Sequence, residues 1–199
     1  MTLDHVKWWQ SEIQPVIDDL PNRADKYWNL VLIAASSSFI GKFISRKPIG
    51  ITIGIKVDEH FVPEVLMQLV SKFPYFDTPN KKSSFVWYLS VAPKEALLHL
   101  KDVKLDPKDL PKRIGSIALH TALVYSMNHA FKGRVILHAD DDGGDQLLDW
   151  YVARGMETFP EEADLNMGLR GIIVPNDGRY CYYSDTAALD EIKEFDSLR

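Results

Sequence analysis

Two stretches in the second half of the chain decide the fold. Residues 102–123 read D-V-K-L-D-P-K-D-L-P-K-R-I-G-S-I-A-L-H-T-A-L, and residues 133–156 read G-R-V-I-L-H-A-D-D-D-G-G-D-Q-L-L-D-W-Y-V-A-R-G-M. Each pattern predicts a strand, a polar loop and a helix, and the second helix is stopped by Gly155. Strands that alternate with helices need crossover connections, so at least some strands pair in parallel. The sequence therefore predicts an α/β (α+β) protein with a central mixed sheet and helices on both faces.

The remaining elements follow from apolar spacing and from turn residues. An amphipathic helix is predicted over residues 4–20, with a kink at Pro15. The predicted strands are 48–57, 85–92, 98–106 and 134–139, and the predicted helices are 63–73, 115–130 and 146–154. A loop is predicted at 74–82, and a hairpin joins 169–174 to 179–184. Residues 29–35 fit a buried strand or a short helix, because periodicity cannot decide so short a run.

Composition bounds the class of protein. The chain has 199 residues, 46% hydrophobic and 26% charged, which indicates one globular domain over 1–199. We divide that domain into an N-terminal helical/strand region (1–45), a core (46–184) and a C-terminal tail helix (185–199). The net charge of -5 argues against phosphate-driven nucleic-acid binding. The lone Cys181 excludes an internal disulfide and a Cys-rich metal site, and no apolar run predicts a membrane span or signal peptide. We expect a cytoplasmic protein.

The start of the helix after residue 113 is a candidate anion site. A helix N-terminus offers unpaired backbone N–H groups and the positive end of the helix dipole, which together suit a diphosphate. Gly115 would let a ligand approach the backbone, and Lys112 and Arg113 add positive charge. A plain capped helix behind a solvated basic turn explains the same residues, so this segment alone leaves both interpretations open.

Taken together, the two stretches resemble the GNAT superfamily of N-acyltransferases. That family shows a fourth strand with a pattern like E-L-x-V-x-P, a phosphate loop, a helix, a further strand and a helix ending Tyr-x-x-x-Gly-Phe. Residues 102–107 match the strand, and Gly115 and Ser116 open the helix at the family's usual spacing. Tyr151, followed by Gly155 and Met156, matches the second helix. The segment 46–54 resembles the family's earlier strand.

The chain also departs from that pattern. The family's loop Arg/Gln falls on Leu110, its middle glycine on Arg113, and its later Asn at about Gly144. Residues 58–84 exceed the family's usual hairpin. A second register, with residues 86–93 as the fourth strand, needs an insertion of about twenty residues, which is long for an unstructured connection. We therefore favour the first register.

The resemblance implies an acyl-CoA-dependent N-acetyltransferase or acyltransferase, in which an amine attacks the thioester within a ternary complex. The co-substrate would be acetyl-CoA or another acyl-CoA, with no metal, and the acceptor a small-molecule or peptide amine. Asp102 would deprotonate the amine and Tyr151 would protonate the leaving thiolate. The coenzyme site would comprise Lys104, Leu105, Leu110, Lys112, Arg113, Ile114, Gly115, Ser116 and Gly144, where the backbone N–H near Leu105 polarises the thioester carbonyl.

Several alternatives stay open. A catalytically silent GNAT-like module that binds a ligand or partner would explain the altered loop, and the net charge argues against a GNAT-like transferase that uses charged tRNA. Asp102 fits a solvent-facing strand residue equally well, and Tyr151 could serve packing only. His138 is the next candidate base. The acidic run 140–145 fits a solvated turn better than a Ca²⁺ loop. Neither nucleic acid nor membrane is an expected partner, and the oligomeric state is open between monomer and homodimer.

The architecture implied by the first register is specific. Strands 98–106 and 134–139 should lie side by side, run parallel and separate at their C-terminal ends. Helices 115–130 and 146–154 should then cover opposite faces of the sheet.

Overall fold

The chain folds into long antiparallel strands and two groups of helices. A computed structural model describes residues 1–35, 48–75, 78–108, 110–160, 165–166, 173–174 and 176–196. The helices are α1 (Leu3–Glu12), α2 (Gln14–Asp19), α3 (residues 30–35), α4 (Lys94–Leu98), α5 (Ile114–Asn128), α6 (Gly144–Val152) and α7 (Asp185–Asp196). The strands are β1 (Pro48–Val57), β2 (His60–Tyr75), β3 (Thr78–Val91), β4 (Val135–His138), β5 (Glu157–Thr158), β6 (Leu165–Asn166), β7 (Ile173–Val174) and β8 (Tyr180–Tyr182).

Six strands form one mixed sheet in the order β1-β2-β3-β4-β8-β5. Strands β1, β2 and β3 pair antiparallel, β3 and β4 pair parallel, and β8 lies antiparallel between β4 and β5. A separate antiparallel pair joins β6 to β7. The predicted α/β class with a mixed sheet is confirmed.

Both faces of the sheet are covered by helices, as predicted. Val65, Met67 and Leu69 of β2 belong to a first apolar cluster that includes side chains of α5, α6 and α7. Val62 and Leu66 of the same strand belong to a second apolar cluster that includes side chains of α1, α2 and α4. Because successive strand residues point to opposite faces, β2 contributes to both clusters at once.

Helices α5 and α6 lie on the same face, so the prediction of opposite faces is wrong. Both contribute to the first apolar cluster, through residues such as Leu119 and Tyr151. The crossover from β3 to β4 and the crossover from β4 to β5 advance in the same direction along the sheet. Two right-handed crossovers in one direction must place their helices on one face.

The strand predicted at 98–106 is also wrong. The strand beside β4 is β3, which contains the predicted strand 85–92. Residues 94–98 form α4, whose Leu97 is buried in the second apolar cluster. The apolar residues after it also pack there: Leu100, Val103 and Leu105 partly, and Leu110 fully. An extended connection that buries one side has the same alternating pattern as a strand, and the sequence could not separate the two.

The helix predicted at 63–73 is a strand, part of β2. Val65, Leu66, Met67 and Leu69 are fully buried because β2 is covered on both faces. Such a strand lacks polar alternation and reads as a continuous apolar run. Pairing with its two long neighbours, β1 and β3, makes this segment a strand and not a helix. Strands β2 and β3 also extend into the predicted loop 74–82, of which residues 76–77 lie outside the described part.

The terminal elements agree better with prediction. The helix at 4–20 divides at Ile13, and Pro15 lies in the first turn of α2, where proline is tolerated. The ambiguous run at 29–35 is helical from residue 30. Of the predicted hairpin, residues 169–172 and 175 lie outside the described part. Its described residues do not pair as predicted, since β7 pairs with β6 and β8 pairs with β4 and β5. The tail helix is α7, and residues 197–199 lie outside the described part.

A bulge in β2 buries a carboxyl group. Ile53 pairs with Val65 and Gly54 with Pro63, which leaves Glu64 as the extra residue. A Cβ on Gly54 would lie 2.1 Å from the carbonyl oxygen of Val62, so only glycine fits opposite the bulge. Glu64 is 2% exposed, and its Oε2 has no hydrogen-bond partner among the described residues. Burial raises the pKa of Glu64 from 4.5 to about 7.

We expect Glu64→Gln to change how stability depends on pH. The pKa of Glu64 is higher in the folded than in the unfolded state. The loss of folding stability that its buried carboxylate causes is therefore absent below about pH 4.5, where the group is protonated in both states, and grows as the pH rises towards and above 7. Above pH 7 the variant should be more stable than the wild type by up to about 3 kcal/mol. Urea unfolding at pH 5 and pH 8 measures this difference. Glu59→Gln, at an exposed position in the β1–β2 turn, is the control, and an unchanged pH slope in Glu64→Gln would contradict the prediction.

Candidate functional site

Strands β3 and β4 separate after three paired residues. Ser84, Phe85 and Val86 pair with Val135, Ile136 and Leu137, and β3 then continues to Val91 while β4 ends at His138. On its other side β3 pairs with β2, and the register shifts so that Trp87 is an extra residue between Val86 and Tyr88. Such a bulge bends a strand and increases its twist. The two parallel strands therefore diverge at their C-terminal ends.

A cavity of about 490 Å³ occupies this divergence. Five parts of the chain line it: the segment after α2, the second half of β3, the start of α5, the end of β4 and helix α6. Its aromatic lining residues are Trp28, Trp87, Tyr88, Trp150 and Tyr151, and its charged or polar side chains include Arg23, Asp25, His138, Asp140 and Gln146. An elongated ligand that is partly apolar and carries a few polar groups would suit such walls.

Some of the predicted site residues lie at this cavity. Gly115 and Tyr151 both line it. Ser116 is buried, accepts a hydrogen bond from Nε of Arg154 at 3.0 Å and lines, with Arg113, a second cavity of about 550 Å³ between α5 and α7. Gly144 begins α6 with a φ of 64°, a conformation that favours glycine.

Other predicted site residues lie elsewhere. Asp102 and Lys104 are exposed in the connection between α4 and α5, and neither is among the residues that line the cavity. Leu105 and Leu110 pack on the second apolar cluster. These assignments depended on a strand at 98–106, and they lose their geometric basis with it. The role of Asp102 as a base stays a prediction without support from its position.

The start of α5 keeps the features of an anion site. Its N-cap residue, Arg113, has a φ of 62°, and its own side chain makes no capping hydrogen bond to the first turn. Lys112 is exposed beside it, and Ile114 is half-buried against the first apolar cluster. A Cβ on Gly115 would lie 3.0 Å from the indole of Trp150, so this glycine also serves the packing of α5 against α6.

Tyr151 is a buried phenol at the cavity wall. Its side chain belongs to the first apolar cluster, and the residue is 6% exposed. Burial raises the pKa of Tyr151 well above its ordinary value, and electrostatic interactions with Cys181 and Asp25 add to the effect. The phenol therefore keeps its proton throughout the neutral range. Burial also raises the pKa of the Cys181 thiol to about 11, which makes it a poor nucleophile.

A buried ion pair fastens the N-terminal segment to the end of β3. Asp25 is 4% exposed and accepts hydrogen bonds from Nε of Arg23 at 2.7 Å and from the hydroxyl of Ser90 at 2.5 Å. Arg23 also donates to the carbonyl of Val91 at 2.8 Å, and Gln14 donates to the carbonyl of Asp25. Sequence analysis missed these residues, because no local pattern connects positions 65 apart.

His138 and Asp177 form a second polar group at the cavity, of which the sequence indicated only the histidine. His138 was a reserve candidate, but its partner Asp177 was not recognised: Nε2 of His138 lies 2.8 Å from Oδ2 of Asp177. Nearby, Arg179 donates to the carbonyls of Ala139 and Gly144 and pairs with two acids of the 140–145 loop, Asp141 and Asp145. This pairing explains half of the acidic run without an ion. Sequence gives no local signal for it, because Arg179 lies more than thirty residues after these acids.

Comparison of the chain with protein-family models, with curated proteins and with solved structures finds no significant match. Within the described residues, no three His, Cys, Asp or Glu side chains are grouped so that they could hold a metal ion. No described helix has both the length and the apolar character needed to cross a membrane. Function must therefore be argued from the cavity itself.

We expect Asp25→Ala to destabilise the protein by about 2–4 kcal/mol, because it leaves Arg23 partly buried without its counter-ion. A double-mutant cycle with Arg23→Ala, measured by urea unfolding, isolates the coupling between the two side chains. The control is Asp106→Ala, whose ion pair with Lys108 is exposed and should contribute less than about 1 kcal/mol. Equal losses at Asp25 and Asp106 would show that the buried pair has no special role.

Proposed function

We propose that this protein is an acyl-CoA-dependent N-acyltransferase of the GNAT type. The observation that carries the proposal is the separation of the parallel strands β3 and β4 around a cavity bordered by Gly115 and Tyr151. The GNAT resemblance implies a strand pair that opens in this way, with a phosphate-binding helix start between the strands. The proposal uses the second register, in which β3 is the fourth strand.

The second register requires a long connection before α5, and that connection is structured. Residues 94–98 form α4, and Leu110 is buried in the second apolar cluster. The objection to an insertion of about twenty residues was that so long a loop without structure is uncommon. Because the apolar side chains of this connection are buried, its length no longer argues against the second register. We therefore favour the second register over the one based on 98–106.

The coenzyme would lie along the opening between the strands. Its diphosphate would meet the first turn of α5, which the Arg113 side chain does not cap, with Lys112 and Arg113 adding positive charge. Residues 87–91 of β3 extend beyond the ladder with β4, so their backbone groups on that side are free of a strand partner there. One of these N–H groups would pair with the pantetheine or polarise the thioester carbonyl, the role that the first register gave to Leu105.

The protein would contribute position and proton transfer to the reaction. The amine nitrogen attacks the thioester carbon, the C–S bond breaks, and coenzyme A leaves as a thiolate. Tyr151 would give that thiolate a proton, since its phenol stays neutral and lies at the cavity wall. Holding both reactants together supplies much of the rate increase in such transfers.

A silent ligand-binding module is the second candidate. Trp150 packs on Gly115, and the guanidinium of Arg154 lies 3.6 Å from the centre of the Trp150 ring. The close packing of Trp150 would account for a glycine at position 115 without a role in diphosphate binding. The two candidates differ in whether a bound acyl-CoA is turned over.

Coenzyme A should raise the melting temperature, because a ligand that binds only the folded state stabilises it, by about 2.7 kcal/mol at one hundred times Kd. Gly115→Val should remove this shift, since its side chain would meet Trp150 and crowd the start of α5. Asn128→Val, at an exposed position near the end of α5, controls for the added β-branched residue in the helix. No shift for the wild type at millimolar coenzyme A would overturn the proposal.

Tyr151→Phe should lower turnover by about 10²- to 10⁴-fold, because it removes the proton donor and keeps the ring. The affinity for acetyl-CoA, followed by calorimetry, should stay within a few fold. Tyr182→Phe removes a phenol that does not line the cavity and should leave thiol release unchanged. Wild-type turnover in Tyr151→Phe would reduce Tyr151 to a packing residue.

A further inference from the structure

The last residue of β4 brings a titratable ring into the cavity. His138 lines the same cavity as Tyr151, and its side chain is 29% exposed, so solvent can reach it. Its backbone belongs to the sheet, where it pairs with Tyr180. A histidine changes charge near neutral pH and can take a proton from a bound ligand and pass it to water.

The hydrogen bond to Asp177 decides which ring nitrogen is free. A carboxylate only accepts hydrogen bonds, so the 2.8 Å contact between Nε2 of His138 and Oδ2 of Asp177 requires a hydrogen on Nε2. In the neutral ring the lone pair then lies on Nδ1. Burial opposes ionisation of Asp177, but the hydrogen bonds from His138 and from the Arg179 backbone outweigh it, and the pKa of Asp177 lies below its ordinary value.

Asp177 is itself held in place relative to β4. The backbone N–H of Arg179 donates to Oδ1 of Asp177 at 3.0 Å. The side chain of Arg179 donates to the carbonyl of Ala139 at 2.6 Å and to that of Gly144 at 2.8 Å. These bonds join the 176–179 turn to the residues that follow His138. The carboxylate therefore orients the imidazole from a turn that these hydrogen bonds connect to the end of β4.

The other acidic groups near the cavity are less suited to accept a proton. Asp25 already accepts from Arg23 and Ser90, and a proton on it would break a buried ion pair. Asp140 accepts from the backbone N–H of Asp142. His138 contacts the carboxylate of Asp177 and the ring of Tyr180 at 4.6 Å, and Tyr151 lines the same cavity.

We propose that His138 is the proton acceptor for the amine substrate and that Asp177 is its positioning residue. This inference rests on the proposed acyl transfer. Nδ1 of His138 takes one proton from the ammonium form of a primary amine, which frees the nitrogen lone pair. The nitrogen then bonds to the thioester carbon and the C–S bond breaks. The bonded nitrogen then loses its second proton, which restores the proton that Tyr151 gives to the departing thiolate. His138 releases the first proton to water.

The test compares His138→Gln, Asp177→Asn and the wild type in thiol release from acetyl-CoA with a panel of primary amines. We expect His138→Gln to lower kcat about 10²- to 10³-fold at pH 7. The loss should shrink towards pH 10, where the free amine is already neutral. Asp177→Asn should lower kcat about tenfold or more with KM unchanged, because its amide can also donate to Nε2 and select the other tautomer. His129→Gln and Asp19→Asn, at exposed positions away from the cavity, are the matched controls.

A measurement without turnover tests the positioning role separately. Nitrogen NMR of the wild type should show the hydrogen of neutral His138 on Nε2, and Asp177→Asn should shift the ring towards the other tautomer. The opposite tautomer in the wild type overturns the inference, as does full turnover of His138→Gln at pH 7. If the wild type binds no acetyl-CoA and releases no thiol, the proposed function fails and this inference falls with it. If it binds and turns over acetyl-CoA with His138→Gln unaffected, only this inference fails.

Discussion

The bulge at Trp87 is the constraint on which the rest of the site depends. Strand β3 is held along its whole length by β2 but along only three residues by β4. Insertion of one residue bends β3 away from its parallel neighbour and opens the sheet in its middle. A sheet opened in this way would expose backbone groups unless other parts of the chain or a ligand cover them. The cavity and the elements around it are consequences of that opening.

The N-terminal segment closes one end of the opening. Arg23 covers the carbonyl of Val91, and Asp25 neutralises Arg23 while accepting from Ser90. Buried ion pairs of this kind add little net stability, but loss of one partner is costly, so they specify one arrangement. The segment from 22 to 28 is thereby held against the strand whose free edge forms the cavity wall. Its aromatic side chain, Trp28, lies edge-on to Tyr88 at 6.2 Å.

The other wall is held by Arg179. This one side chain joins the residues after β4 to the turn before β8, through carbonyl oxygens and two carboxylates. Two acids of the 140–145 loop, Asp141 and Asp145, are therefore partners of a nearby arginine, which stabilises the polar start of α6. The same network places Asp177 beside His138. The polar network around Arg179 and the segment held by the Arg23–Asp25 pair thus join separate parts of the chain near the cavity.

Local pattern was sufficient for a large part of this protein. Helix α5, strand β4 and helix α6 were predicted from the pattern of residues 102–156. Strand β1 and the helical N-terminus were predicted from their own residues, because the apolar spacing and stop signals lie within each element. Gly115 and Tyr151 were identified within the same stretch, and both line the cavity. These features depend on neighbours close in sequence, which a single chain shows directly.

Tertiary structure alone decided which strand lies beside β4 and which residues line the cavity. Strand β2 and the connection at 99–108 carry apolar patterns that fit more than one state, and burial on two faces or against the second apolar cluster selects between them. The pairs Asp25 with Ser90 and His138 with Asp177 join residues far apart along the chain. No local spacing encodes such contacts, because they exist only once the sheet has brought the segments together.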